Sequence, residues 1–278
     1  MTDHVRRNEA GDMDENIAAA RAFFPRGLIQ PPGSFRFSSE ALYPASFADP
    51  GSCLRLLDLG TGCGVTALAA LCLNPSIKAA GVEILPEQAE AAALNAARLG
   101  FSHAFRIVRA DLADRRLFAP APECTATGGT NKEHPYCLTA HSFDVVTANP
   151  PYRQRGKGRL PADAARRTAL FEENDTPDIF CKAAAAALKE TGRLSIIYPA
   201  ARLPDLTAAL KRAALTPLRM LPLCPRAGDA AKRLLLEAAP AHAALPPLRV
   251  EAPLVLHEAD GRFSRAALDF CPFLLCNI

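Results

Sequence analysis

Asn149, Pro150, Pro151 and Tyr152 stand in consecutive positions, directly ahead of a basic run. An exocyclic or amide nitrogen is a poor nucleophile because its lone pair is delocalised. A general base gives it little help, since a neutral NH₂ is a very weak acid. Two acceptors gripping both N–H bonds do help. They make the nitrogen more pyramidal and stabilise the positive charge that builds on it during attack. The Asn149 Oδ1 and the Pro150 carbonyl can be those acceptors, and two prolines fix the backbone so that the carbonyl is aimed in advance. Tyr152 can stack on a planar substrate, for which a base flipped out of its stack is the natural candidate. The four residues read as a clamp for a planar amino group. The plain alternative is a proline-stiffened loop that ends a strand.

A second motif decides between these readings. Asp58-Leu-Gly60-Thr-Gly62-Cys-Gly64 closes an apolar run, CLRLLDLG, and opens a helical one, GVTALAALCL. Glycines at such a turn let a ligand approach backbone that a Cβ would block. A dinucleotide-binding turn of the form G-x-G-x-x-G would need its third glycine at Val65. The acidic Asp58 is awkward beside a pyrophosphate but suits a cation. S-adenosylmethionine carries an ammonium and a sulfonium and no phosphate. Glu83 closes the next strand, where an acid can chelate ribose hydroxyls. Asp111 closes the one after, where a carboxylate can accept the adenine amino group. Asp58, Gly60, Gly62, Gly64, Glu83, Asp111, Leu112 and Asn149 form the candidate cofactor set.

The elements that must hold these residues alternate regularly. Strands are expected at CLRLLDLG, IKAAGVE, FRIVRADL, FDVVTANPPY, RLSIIYP, TPLRMLPL and KRLLLEA. Helices fall between them: PEQAEAAALNAARLG starts on Pro86 and stops at Gly100. TPDIFCKAAAAALKETG is expected to be capped by Thr176 and to end at Gly192. The fold class is α/β, a Rossmann-like doubly wound, mostly parallel seven-stranded sheet. Residues 1–26 read as a disordered or partly helical extension, with a short helix near Ile17–Phe24. Residues 27–278 read as the catalytic domain. Ala119–His141 reads as an exposed, mobile insertion. It holds Cys124, His134, Cys137 and His141, but their spacing is not a standard zinc pattern, and no metal is expected.

Charge is uneven. Residues 1–150 hold 13 Lys/Arg against 16 Asp/Glu, and residues 151–278 hold 19 against 13, so the halves carry −3 and +6. That split suits a chain with a small cofactor in one half and a polyanion against the other. Arg153, Arg155, Lys157 and Arg159 follow the clamp directly, on a segment made pliable by Gly156 and Gly158, and are the candidate grip for that polyanion, which the resemblance given below implies to be RNA. The nine cysteines contain no Cys-x-x-Cys pair and read as reduced, mostly buried thiols. No apolar run reaches the length of a membrane span, and the N-terminus lacks a signal-peptide core. A cytoplasmic protein without membrane contact is expected. The sequence leaves the oligomeric state open, with a monomer favoured.

The chain resembles the amino-group methyltransferases that include adenine-N6 and glutamine-N5 enzymes. Within them it is most similar to the bacterial tRNA1(Val) adenine-N6-methyltransferase family. FRFSSEA, DLGTGCGV, GVEI, NPPY with Gly156-x-Gly158-Arg159 and Ala165–Arg166, PRAGDAAKRLLLEA and PPLRVEAPLVLHEADGRFS carry the likeness, over roughly residues 27–264. It implies methyl transfer from S-adenosylmethionine to N6 of the adenine next to the anticodon of a valine tRNA. It also implies Asn149, Pro150 and Tyr152 as the clamp, and Asp58, Gly60, Glu83 and Asp111 as cofactor ligands. The insertion and the N-terminal extension depart from the family pattern. The rival readings are glutamine-N5 methylation of release factors, DNA adenine methylation, and a non-catalytic cofactor-binding RNA-associated protein.

Overall fold

The computed structural model describes residues 15–34, 36–118, 138–151, 153–154, 171–172, 176–241 and 245–277. Its strands are β1 (Arg55–Leu59), β2 (Lys78–Glu83), β3 (Phe105–Arg109), β4 (Phe143–Ala148), β5 (Arg153–Gln154), β6 (Phe171–Glu172), β7 (Leu188–Pro199), β8 (Leu215–Cys224), β9 (Arg233–Pro240), β10 (Arg249–Val250) and β11 (Leu254–Val255). Its helices are α1 (15–22), α2 (Tyr43–Ala48), α3 (Val65–Leu73), α4 (Pro86–Arg98), α5 (Thr176–Ala187), α6 (Leu203–Arg212) and α7 (Arg265–Phe270).

The large sheet runs β10-β8-β9-β7-β4-β1-β2-β3, with β11 also pairing β8. β1, β2, β3, β4 and β7 are parallel neighbours, while β9 lies antiparallel to β7 and β8. The seven expected strands are β1–β4 and β7–β9; the two-residue strands β10 and β11 extend the edge at β8. Central strands such as β1 and β4 are apolar on both faces because helices cover both. Leu56 and Val145 enter a core with Phe47, Leu68 and Ala92 of α2, α3 and α4. Leu57, Leu59 and Val146 enter the other, with Phe180, Cys181 and Leu206 of α5 and α6. The two cores are the mark of double winding.

Three boundaries differ from expectation. α5 stops at Ala187, because Leu188 pairs with Phe143 and begins β7. Gly192 is not a helix stop. A Cβ there would lie 2.8 Å from Leu188 Cδ2 and 2.9 Å from the Phe143 carbonyl oxygen, so the glycine serves close strand packing. Leu138, inside the expected insertion, is buried and donates its N–H to the Leu117 carbonyl at 2.8 Å. The expected break at residue 26 is not a packing boundary either. Phe24 is buried edge-on against Phe273 at 5.0 Å, and Arg21 lies over the Phe101 ring. Of the seven described cysteines all are free and five are buried.

Candidate active site

The candidate residues gather where β1, β2, β3 and β4 finish, since parallel strands deliver their C-terminal ends to one edge. Asp58 lies opposite Gly81 on one side and Thr147 on the other. Its carboxylate is buried, with Oδ2 accepting from Thr61 Oγ1 at 2.6 Å and Oδ1 from Thr147 Oγ1 at 2.8 Å. Burial pushes its pKa up to about 6, against the pull of these two hydroxyls. One side chain thus joins the glycine turn to the strand that carries Asn149. Space for Thr61 comes from Gly81, where a Cβ would meet the threonine side chain at 2.7 Å.

The turn is held from β2 as well. Glu83 Oε2 accepts the Gly62 N–H at 2.8 Å, and Oε1 accepts that of Leu85 at 2.9 Å. Burial raises the Glu83 pKa, while these backbone donors oppose the shift. The Thr61 N–H donates to the Val82 carbonyl at 2.9 Å. Gly60, Gly62 and Gly64 all adopt positive φ, at 66°, 57° and 88°. Their surroundings differ. A Cβ on Gly64 would meet Phe105 at 3.0 Å, and one on Gly60 would meet Phe180 at 3.2 Å, whereas nothing lies within 4 Å of one on Gly62. Backbone is therefore bare to open space at Gly62, beside a buried carboxylate. This is a cradle that suits a polar, cationic nucleoside rather than a phosphate chain.

Asn149 follows β4 directly, and its Oδ1 is buried with no hydrogen-bond partner among the described residues. Pro150 is buried and Pro151 half-buried. An acceptor shielded from water and left without a donor costs about 1–3 kcal/mol. The Asn149 oxygen is therefore available to an incoming N–H. Asp111 is exposed two residues beyond β3, where its Oδ1 accepts the Ala113 N–H at 2.8 Å, and Leu112 beside it is half-buried. Arg153 is described through its backbone in β5. Tyr152, Arg155, Lys157 and Arg159 lie outside the described residues, as do Cys124, His134 and Cys137. His141 Nδ1 sits 3.0 Å from the Leu188 carbonyl oxygen.

Thr61, Thr147 and Asn95 are site residues that motif reading passes over. Asn95 is fully buried within the alanine-rich α4. Its Nδ2 donates to the Cys63 carbonyl of the turn at 2.9 Å and to Ile29 O at 3.0 Å, and its Oδ1 accepts the Ile29 N–H at 2.7 Å. A polar residue among alanines on the buried face, which it shares with Gln88, was the available signal.

No family model matches the chain. A tRNA1(Val) (adenine(37)-N6)-methyltransferase of Porphyromonas gingivalis is 32% identical over 215 residues, covering 75% of this chain and 74% of that protein. A release factor glutamine methyltransferase of Vibrio cholerae is 30% identical over 186 residues, covering 63% of this chain and 56% of that protein. Among solved structures, a predicted O-methyltransferase, protein Atu636 from Agrobacterium tumefaciens, shares the fold with a TM-score of 0.61 at 24% identity, covering 84% of this chain and 95% of that one. The chain belongs to the tRNA1(Val) (adenine(37)-N6)-methyltransferase family.

Proposed function

We propose that this enzyme methylates N6 of an adenine in tRNA, the adenine next to the anticodon of a valine tRNA, and does so in the cytoplasm. The observation that carries the chemistry is the unpartnered, buried Asn149 Oδ1 at the strand end beside the glycine turn. When bound, S-adenosylmethionine supplies an electrophilic methyl on a sulfonium. Glu83 and Asp111 would hold the ribose and adenine of that cofactor, and Asp58 would balance its positive charge while fixing the turn. Asn149 Oδ1 and the Pro150 carbonyl accept the two N–H bonds of the target amino group. That leaves its lone pair facing the methyl, and the two acceptor dipoles stabilise the charge as it develops. Tyr152 would stack on the extruded base.

The related release factor methyltransferase shares a shorter segment, which makes glutamine the second substrate to test. Protein, radiolabelled cofactor and either total tRNA, DNA or release factor are incubated, and the product is digested to nucleosides or amino acids. N6-methyladenosine from tRNA is the expected product. Label on glutamine, or no label on any substrate, overturns the reading.

A further inference from the structure

β9 runs against its neighbours, so it begins at the edge where β4 and β7 finish, with Arg233 paired to Pro199. At that edge lies a hollow of about 200 Å³, lined by Tyr43, Leu223, Pro225, Lys232, Leu256 and His257 among others. Ligand pockets for drug-sized molecules run to roughly 300–1,000 Å³, so this one suits a smaller group. Of its lining residues, Tyr43 and Leu223 are buried and Leu256 is half-buried, while Glu40, Lys232 and Arg233 bring charge to it. The Glu40 carboxylate is paired with Arg233 at 3.1 Å. Asp229 in the adjoining turn accepts the Arg226 N–H at 3.1 Å. Lys232 and Arg226 are exposed, and neither side chain has an ion-pair partner among the described residues. Lys232 precedes β9, two strands from β4, while Pro225 and Leu256 follow β8 and β11, three and four strands away, so at ordinary strand spacing the hollow lies about 10–20 Å from the Asn149 strand, a span that a nucleotide flanking an extruded base can cover.

We infer that this hollow is a second nucleotide site. It takes the nucleotide flanking the target adenine, with its sugar and base against Leu256 and Pro225 and its phosphate on Lys232, while Arg226 meets the next phosphate. An extruded adenine needs its neighbours held, because the strand on either side must stay splayed for the base to remain in the pocket. The inference rests on the tRNA reading above, and it places the grip on residues separate from the basic run after Tyr152.

The test uses the full chain and a tRNA that the wild type methylates. Lys232→Glu with Arg226→Glu is expected to weaken tRNA binding about tenfold and to lower the salt slope by about two, at unchanged cofactor affinity and melting temperature. Lys232→Gln with Arg226→Gln is expected to give the same direction with a smaller loss, and it replaces the reversal should that fail to fold. A 4-thiouridine placed beside the target adenine is expected to crosslink to the peptides around Pro225 or Leu256. Wild-type tRNA binding and salt slope in a folded variant, or crosslinks confined to other segments, overturn the inference. If the wild type methylates release factor and no tRNA, the functional reading fails first and the inference falls with it.

Discussion

Asp58 and Thr147 stand opposite each other in the β1–β4 register and share a 2.8 Å hydrogen bond. The strand that leads into the glycine turn is thereby locked to the strand that Asn149 follows. Thr147→Val keeps the shape and removes the hydroxyl, leaving a buried carboxylate oxygen without its donor. The expected cost is about 1–3 kcal/mol of stability, read from urea unfolding. Turnover should fall with it, because the two strand ends lose their mutual alignment.

Asp58 also sets a pH dependence. Burial raises its pKa to about 6, above the roughly 3.9 of an unfolded aspartate. A carboxyl that binds its proton more tightly when folded contributes stability that is complete below the unfolded value. That contribution is lost as pH rises through the folded one. The cationic cofactor prefers the ionised carboxylate, so its affinity should run the other way and strengthen from about pH 5 to about pH 7. Asp58→Asn should flatten this profile in calorimetric titration. An unchanged profile would assign the pH dependence to another group, with the buried Glu83 the next candidate.

The glycines of the turn should separate folding from binding. Gly62→Ala meets no atom within 4 Å but keeps a φ of 57°, so it should lose about 1 kcal/mol of stability. Its methyl enters the open space, and cofactor affinity should drop far more than stability. Gly64→Ala combines a φ of 88° with contact to Phe105 at 3.0 Å and should destabilise more strongly. Melting curves and cofactor titrations on both variants check the contrast.

Asn149→Ala should reduce kcat by roughly 10²–10³-fold, comparable to removing one preorganised polar contact to a charge-developing centre. Cofactor affinity should barely change, since the acceptor acts mainly on the transition state. Stability should hold or improve, because the substitution removes a buried acceptor that lacks a donor. Parallel losses of cofactor binding and turnover would make Asn149 a structural residue.

Neutralising Arg153, Arg155 and Lys157 together should weaken tRNA binding and flatten its salt dependence by about one per lost phosphate contact. Filter binding across a salt series measures both. An unchanged slope would leave the RNA grip to other residues.

The architecture was readable because periodicity and turn residues mark strands and helices directly. The alternation from CLRLLDLG to KRLLLEA maps onto β1–β4 and β7–β9, and Pro86 and Gly100 bracket α4 and the turn after it as expected. Local signals failed where tertiary packing overrode them. Gly192 resembles a helix stop, but it is a glycine because Phe143 and Leu188 crowd it. Phe24 closes the short helix expected near Ile17–Phe24, in an extension read as separate from the domain, yet it packs into the core against Phe273. At the candidate site, Asp58, Glu83 and the glycines, which the structure brings together, were visible as a motif. Thr147 and Asn95 were not, since their importance comes from strand register and from a contact across 32 residues of chain.

The reversal of β9 separates two duties along one rim. The parallel strands fix the methyl chemistry, so any change in their order or spacing would misalign Asp58, Glu83 and Asn149 together. The β8–β9 connection hangs on a strand that contributes nothing to the cofactor cradle. A change in its length or sign would act on RNA binding and leave the strands of the glycine turn in place. Selection on which RNA is accepted therefore has a place to act without first breaking catalysis.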